Sequence, residues 1–147
     1  MSAATSRTTT SRMADASGPR AVVAGHAGFA SGIVSAVGKI AGRPEVFIAV
    51  SNEGLDLGGV EQAIRGALDA HGARVIFTDL PAGSCTMAAR RLARLDPSIA
   101  IVTGVTVATL LDFALGDGVS EPDLQRAAAR GRESITVVPA SGGHGAA

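Results

Sequence analysis

The chain contains no tryptophan and no tyrosine, and only four phenylalanines stand among its 147 residues. No basic stripe with interleaved aromatics occurs, which argues against a dedicated nucleic-acid binder. Neither sign of charge is in excess: Lys plus Arg and Asp plus Glu number 13 each, for a formal net charge of zero. One cysteine, Cys85, excludes an internal disulfide and fits a reducing compartment, so a cytoplasmic location is expected. No apolar run approaches the roughly eighteen residues that a membrane-spanning helix needs, which argues against insertion into a membrane. The first residues carry Arg7 and Arg12 among Ser, Thr and Ala, without the apolar stretch of a secretory signal.

What is present is enough for one folded domain. Hydrophobic residues make up 46% of the chain, and its length suits a single sizeable core. Residues 1–19 are rich in Ser, Thr and Ala and read as a disordered leader, in which Met13 offers a second start. Residues 139–147 read as a disordered tail, which leaves His144 without a task. The domain is expected over residues 20–138. There, short apolar runs at 21–24, 46–50, 74–78 and 99–103 alternate with helical patterns at 29–41, 57–71, 84–95 and 105–115. A fifth helix is expected at 121–131 and a last short strand at 134–138. Ile33, Val37 and Ile40 mark one face of the first helix, and Val60, Ile64 and Leu68 one face of the second. Gly72 follows as a helix terminator.

The strand–helix alternation implies an α/β fold: a single open, mainly parallel sheet with helices on both faces. The runs at 46–50 and 99–103 are apolar at nearly every position, as expected of strands covered on both faces. The final run is expected at an edge of the sheet.

Three features converge at one end of this sheet. His26 follows the first apolar run directly, and Asp79 follows the third. If the first and third strands are neighbours with the second outside, both residues leave the sheet at a topological switch point, where open α/β sheets bind ligands. An aspartate bonded to one imidazole nitrogen fixes the tautomer and raises the basicity of the other, which suits a nucleophile. Next come Ala82, Gly83 and Ser84, entering a helix whose free N–H groups form an anion seat. Nucleophilic histidine, orienting aspartate and anion cradle together suggest phosphoryl transfer. Each has an ordinary alternative: a loop histidine, a turn and a helix cap.

The segment Gly25-His-Ala-Gly-Phe-Ala-Ser-Gly resembles the phosphohistidine segment of the mannose-type IIA domains of the bacterial sugar phosphotransferase system. It is most similar to the N-acetylgalactosamine/galactosamine branch. Thr78-Asp-Leu with Gly83-Ser84 resembles the family's second segment, and Ile101-Val-Thr-Gly-Val with Leu110-Leu111 its third. The similarity spans residues 21–138. It implies a phosphotransferase component in which His26 accepts phosphoryl from the phosphocarrier HPr on Nε2 and passes it to a IIB component, and through it to membrane components IIC and IID. It implies that Asp79 holds Nδ1 and that Gly83, Ser84 and Cys85 contact the phosphoryl oxygens. No metal or organic cofactor is implied. A homodimer that exchanges the C-terminal edge strand is implied as well.

The chain departs from the family at Ala82-Gly-Ser-Cys, where many members have Gly-Gly-Ser-Pro; Cys85 keeps a backbone N–H that proline lacks. Thr106 and Ala108 replace an asparagine and a proline of the third segment. Cys85 reads as a packed small residue rather than a reactive thiol. His71 reads as a helix-end residue, and Asn52-Glu-Gly as a plain loop that could rim the same crevice. The spacing of Gly25, Gly28 and Gly32 does not match a dinucleotide fingerprint. Two other readings share the histidine chemistry: the phosphoryl-donor subunit of a dihydroxyacetone kinase, and a regulatory phosphohistidine module without transport. A plain anion-binding domain, with His26 never phosphorylated, is the third.

Overall fold

The computed structural model describes residues 18–142. Nearly all of the expected leader lies outside the described residues, as do the end of the tail and His144. Four strands form one parallel sheet: β1 Ala21–Gly25, β2 Phe47–Ser51, β3 Val75–Thr78 and β4 Ala100–Val102. Their order is β2-β1-β3-β4, so β1 and β3 are neighbours and β2 lies outside. Five helices alternate with them: α1 Phe29–Ala41, α2 Leu57–His71, α3 Ser84–Leu95, α4 Val107–Leu115 and α5 Glu121–Glu133.

The period-two geometry of a strand divides the core into two layers. Ala21 and Val23 of β1 face α1, α4 and α5, packing with Ile33, Val37, Leu110 and Phe113. Val22 and Ala24 face α2 and α3, packing with Val60, Ile64, Leu68 and Leu92. Phe47, Phe77 and Phe113 lie with ring centroids 5.0–6.0 Å apart, so three of the few aromatics meet on one side of the sheet. Helix starts are locally encoded: Asp56 accepts from Gly59 N–H at 2.8 Å, and Thr106 and Ser120 form reciprocal caps with Thr109 and Asp123. Arg20, just before β1, donates to the carbonyls of Phe113, Ala114, Gly116 and Gly118 at 2.8–3.3 Å. Its guanidinium also sits 4.6 Å from the Phe113 ring centroid. This ties the end of α4 to the start of the sheet.

Three expectations change. Residues 134–138 form no strand in the single chain. The terminus of α5 runs to Glu133, and the apolar residues beyond it, Ile135, Val137 and Val138, are 73–89% exposed. A lone extended segment buries nothing unless it finds a strand to pair with, and here it does not pair with the free edge of β4. That free edge also explains why Ile101 and Val102 are only half-buried, where both faces were expected to be covered; β2, the opposite edge, likewise leaves Ala49 exposed. In α1, Ile40 is 63% exposed while Ala41 packs on the core, because the buried stripe runs through Ala30, Val34, Val37 and Ala41 and leaves Ile40 at its margin.

Candidate active site

Register decides which residues meet at the carboxyl edge. Ala24 pairs with Thr78, and Gly25 with Ser51, so the next residues along the three strands, His26, Asn52 and Asp79, emerge close together. Oδ2 of Asp79 accepts two hydrogen bonds from one residue: from the His26 backbone N–H at 2.9 Å and from ring Nδ1 at 2.7 Å. Gly25 makes the approach feasible, since a Cβ there would meet the Phe29 ring at 2.6 Å and Asp79 Oδ2 at 3.2 Å.

The Asp79 side chain is 11% exposed, against 44% for His26, so a nearly buried carboxylate supports an accessible ring. Burial pushes the Asp79 carboxyl up, but the backbone and ring hydrogen bonds from His26 outweigh it and hold the group below the usual carboxylate range. An ionised carboxylate only accepts, so the proton of the neutral ring sits on Nδ1 and the lone pair on Nε2.

That nitrogen faces the N-terminus of α3. Gly83, the residue before the helix, has φ 121° and ψ 171°, a region essentially reserved for glycine. A Cβ on it would lie 3.1 Å from His26 Cε1 and 3.6 Å from Nε2. The first bond of the α3 ladder runs from Met87 N–H to Gly83 C=O, so the N–H groups of Ser84, Cys85 and Thr86 have no acceptor within the helix. A ring nitrogen with a free lone pair thus lies beside an uncapped helix start suited to an anion.

A family model described as the PTS system fructose IIA component, EIIA-man, matches residues 20–127. The chain belongs to this family. It is therefore a mannose-type IIA component of the phosphotransferase system, with the phosphotransfer role in sugar transport that such components have, and the partners of such components are HPr and a IIB protein. Solved structures agree in fold. The IIA component from Streptococcus agalactiae superposes with a TM-score of 0.72 at 19% identity, over 80% of this chain and 95% of that one. The mannose/sorbose specific IIA subunit from Enterococcus faecalis gives 0.67 at 18% identity, over 84% and 96%. The IIA protein associated with the fucose utilization operon of Streptococcus pneumoniae gives 0.68 at 21%, over 82% and 93%. No curated protein sequence matches the chain.

The remaining residues singled out in the sequence take plainer places. Cys85 is fully buried among Val22, Ala24 and Ala88. Burial pushes its thiol up, the Asp79 charge pushes it the same way, and a hydrogen bond with Ser84 only partly offsets them, so the side chain packs rather than reacts. His71 is at the far end of α2. No helix among the described residues is long and apolar enough to cross a membrane. Nor do the described residues gather three or more His, Cys, Asp or Glu into a metal-holding group.

Two features escaped the reading of the sequence as a string. Asn52 is more than a plain loop residue: Oδ1 accepts from Ala27 N–H at 3.2 Å and Nδ2 donates to Ser84 Oγ at 3.3 Å. Ala27 itself has φ 48°, a left-handed conformation that costs a non-glycine residue about 1 kcal/mol. It is clamped at both ends, because Ser51 Oγ also donates to its carbonyl at 2.9 Å. Buried Thr86 donates to the Leu80 carbonyl and shares a 2.7 Å hydrogen bond with Thr78, which shapes the turn between Asp79 and Gly83. A threonine inside the apolar stripe of α3 was the available signal for that turn.

Proposed function

We propose that His26 is the phosphoryl carrier of this IIA component, accepting from phospho-HPr and donating to a IIB protein that serves membrane components IIC and IID. The observation that carries this reading is the 2.7 Å bond between Nδ1 and Asp79, which leaves Nε2 turned toward the uncapped start of α3. The Nε2 lone pair forms the new N–P bond as the N–P bond of the donor breaks. The ring gains positive charge while Nδ1 keeps its proton, and the Asp79 carboxylate offsets that charge. The backbone at Gly83 and Cys85 and the Ser84 hydroxyl receive the phosphoryl oxygens at the helix start. The reverse step delivers the group to IIB. His26 accepts through the free lone pair of its neutral ring. The work is done in the cytoplasm.

The test is intact-mass analysis of the chain and of His26→Ala after incubation with phosphoenolpyruvate, enzyme I and HPr. An acid-labile gain of one phosphate in the wild type alone is expected. A phosphorylated His26→Ala chain, or an unmodified wild type beside phosphorylated HPr, overturns the assignment.

The same reading includes a homodimer in which residues 134–138 pair with β4 of a second copy. Support comes from the exposed Ile135, Val137 and Val138 and from a groove of about 550 Å³ along β4 and α5, lined by Ile101, Val102, Val119 and Leu124. Light scattering of the full chain and of one ending at Glu133 tests it: a dimer that becomes a monomer is expected, and a monomeric full chain refutes the pairing.

A further inference from the structure

We infer that Asn52 is a positioning residue for phosphoryl transfer, which sets the direction of the Ser84 hydroxyl before the phosphoryl group arrives. The inference rests on the phosphocarrier reading of His26 and adds to it the residue that follows a third strand.

Hydrogen-bond chemistry dictates the orientation. The backbone N–H of Ala27 can only donate, so the atom 3.2 Å from it must be the Asn52 oxygen. That leaves the Asn52 amide nitrogen 3.3 Å from Ser84 Oγ, and an amide NH₂ has no lone pair to offer. Ser84 must therefore accept from Asn52, and its own proton must point elsewhere. Ser84 is also hydrogen-bonded with the sulfur of Cys85, a weak acceptor that a phosphoryl oxygen outcompetes. The result is a hydroxyl whose proton is kept off Asn52 and held only by that weak acceptor, so it is free to turn to an anion at the start of α3. A donor with no strong competing acceptor costs little to redirect when charge arrives.

Asn52 also anchors the other side of the site. Its backbone N–H donates to the Gly25 carbonyl at 3.2 Å, and its side chain holds the strained Ala27 that follows His26. One residue on β2's continuation thereby fixes the distance between the nucleophile loop and the phosphoryl seat. It forms no bond to phosphorus and no proton passes through it.

Asn52→Asp separates the two roles. The variant is isosteric and keeps an oxygen for Ala27 N–H, so the loop stays anchored. The second carboxylate oxygen replaces Nδ2, so Ser84 now donates to it and turns its proton away from the seat. The full chain, Asn52→Asp, Asn52→Ala, Ser84→Ala and both double variants are compared for rapid-quench transfer from phospho-HPr, with kcat and KM separated and thermal midpoints recorded. We expect Asn52→Asp to lower kcat at least tenfold with KM for phospho-HPr and the midpoint little changed. We expect Asn52→Ala and Ser84→Ala to be non-additive, with the double variant no slower than the slower single. Wild-type kcat in Asn52→Asp overturns the inference. So does an equal loss from Asn52→Asp in the Ser84→Ala background, which would mark simple charge repulsion, and so do multiplicative Asn52→Ala and Ser84→Ala effects. In each of these cases a phosphorylated wild type leaves the phosphocarrier reading standing. A wild type that takes no phosphate overturns both.

Discussion

Asp79→Asn isolates the charge at the site. In the wild type one oxygen accepts both the His26 backbone N–H at 2.9 Å and Nδ1 at 2.7 Å. An asparagine amide oxygen can take the same two donors, so the ring stays in place and only the negative charge is lost. A lower bound on the effect is the difference between a charge-assisted and a neutral hydrogen bond, about 1.4 kcal/mol or tenfold in rate. An upper bound is the attraction between the carboxylate and the positive charge that the ring gains. At roughly 4 Å and an effective dielectric near 20 it is about 4 kcal/mol, or on the order of 10³-fold. With the carboxylate only 11% exposed, screening by water is limited, and a loss of roughly 10²-fold is expected. The assay is a rapid-quench time course of phosphoryl transfer from phospho-HPr, beside a urea titration to show that the fold persists. A rate within twofold of wild type in a folded variant refutes the electrostatic argument and reduces Asp79 to a turn residue.

Three further outcomes follow from the same geometry. Gly83→Ala forces a Cβ to 3.1 Å from His26 Cε1 at φ 121° and should cost about 1–3 kcal/mol of stability while slowing transfer; urea unfolding and the quench assay check both. Arg20→Met removes the donors to four carbonyls but keeps a stem over Phe113; a loss of about 2–3 kcal/mol in urea unfolding is expected, with normal transfer where the variant is folded. Because the folded Asp79 carboxyl is held below its ordinary value, its stabilisation is complete above about pH 4 and is lost as pH falls through the lower folded value. Acid unfolding followed by circular dichroism should therefore be shallower in Asp79→Asn over that window.

The C-terminal run and Asn52 show from opposite sides how far patterns carry. Residues 134–138 have the composition of a strand, yet a strand exists only where an edge accepts it, and within one chain it does not pair with β4. Asn52 carries turn-forming composition, and by composition alone it is a loop residue. Its role comes from the pairing of Gly25 with Ser51, which sets it beside His26, and from the start of α3, which brings Ser84 within reach. Ala27 is similar: nothing in an alanine signals φ 48°, because the conformation is imposed by Ser51 and Asn52 at its two ends.

What the sequence by itself determined was everything that local physics controls. Apolar spacing placed the four parallel strands and the helices to within a few residues, and the small residues around His26 and the turn residues after Asp79 picked out the two ends of the candidate site. Strand ends collect ligands at a switch point whichever side chains surround them, so the histidine–aspartate pair was legible as soon as the strand order was. Only the tertiary structure decided the rest: that Oδ2 accepts from the backbone N–H and from Nδ1 of His26, that Nε2 lies beside Gly83, that Asn52 bridges the loop to Ser84, and that Ile40 and residues 134–138 lie exposed. Those facts depend on register and on contacts between residues 25 or more positions apart, or on the absence of such contacts, and no local pattern encodes them.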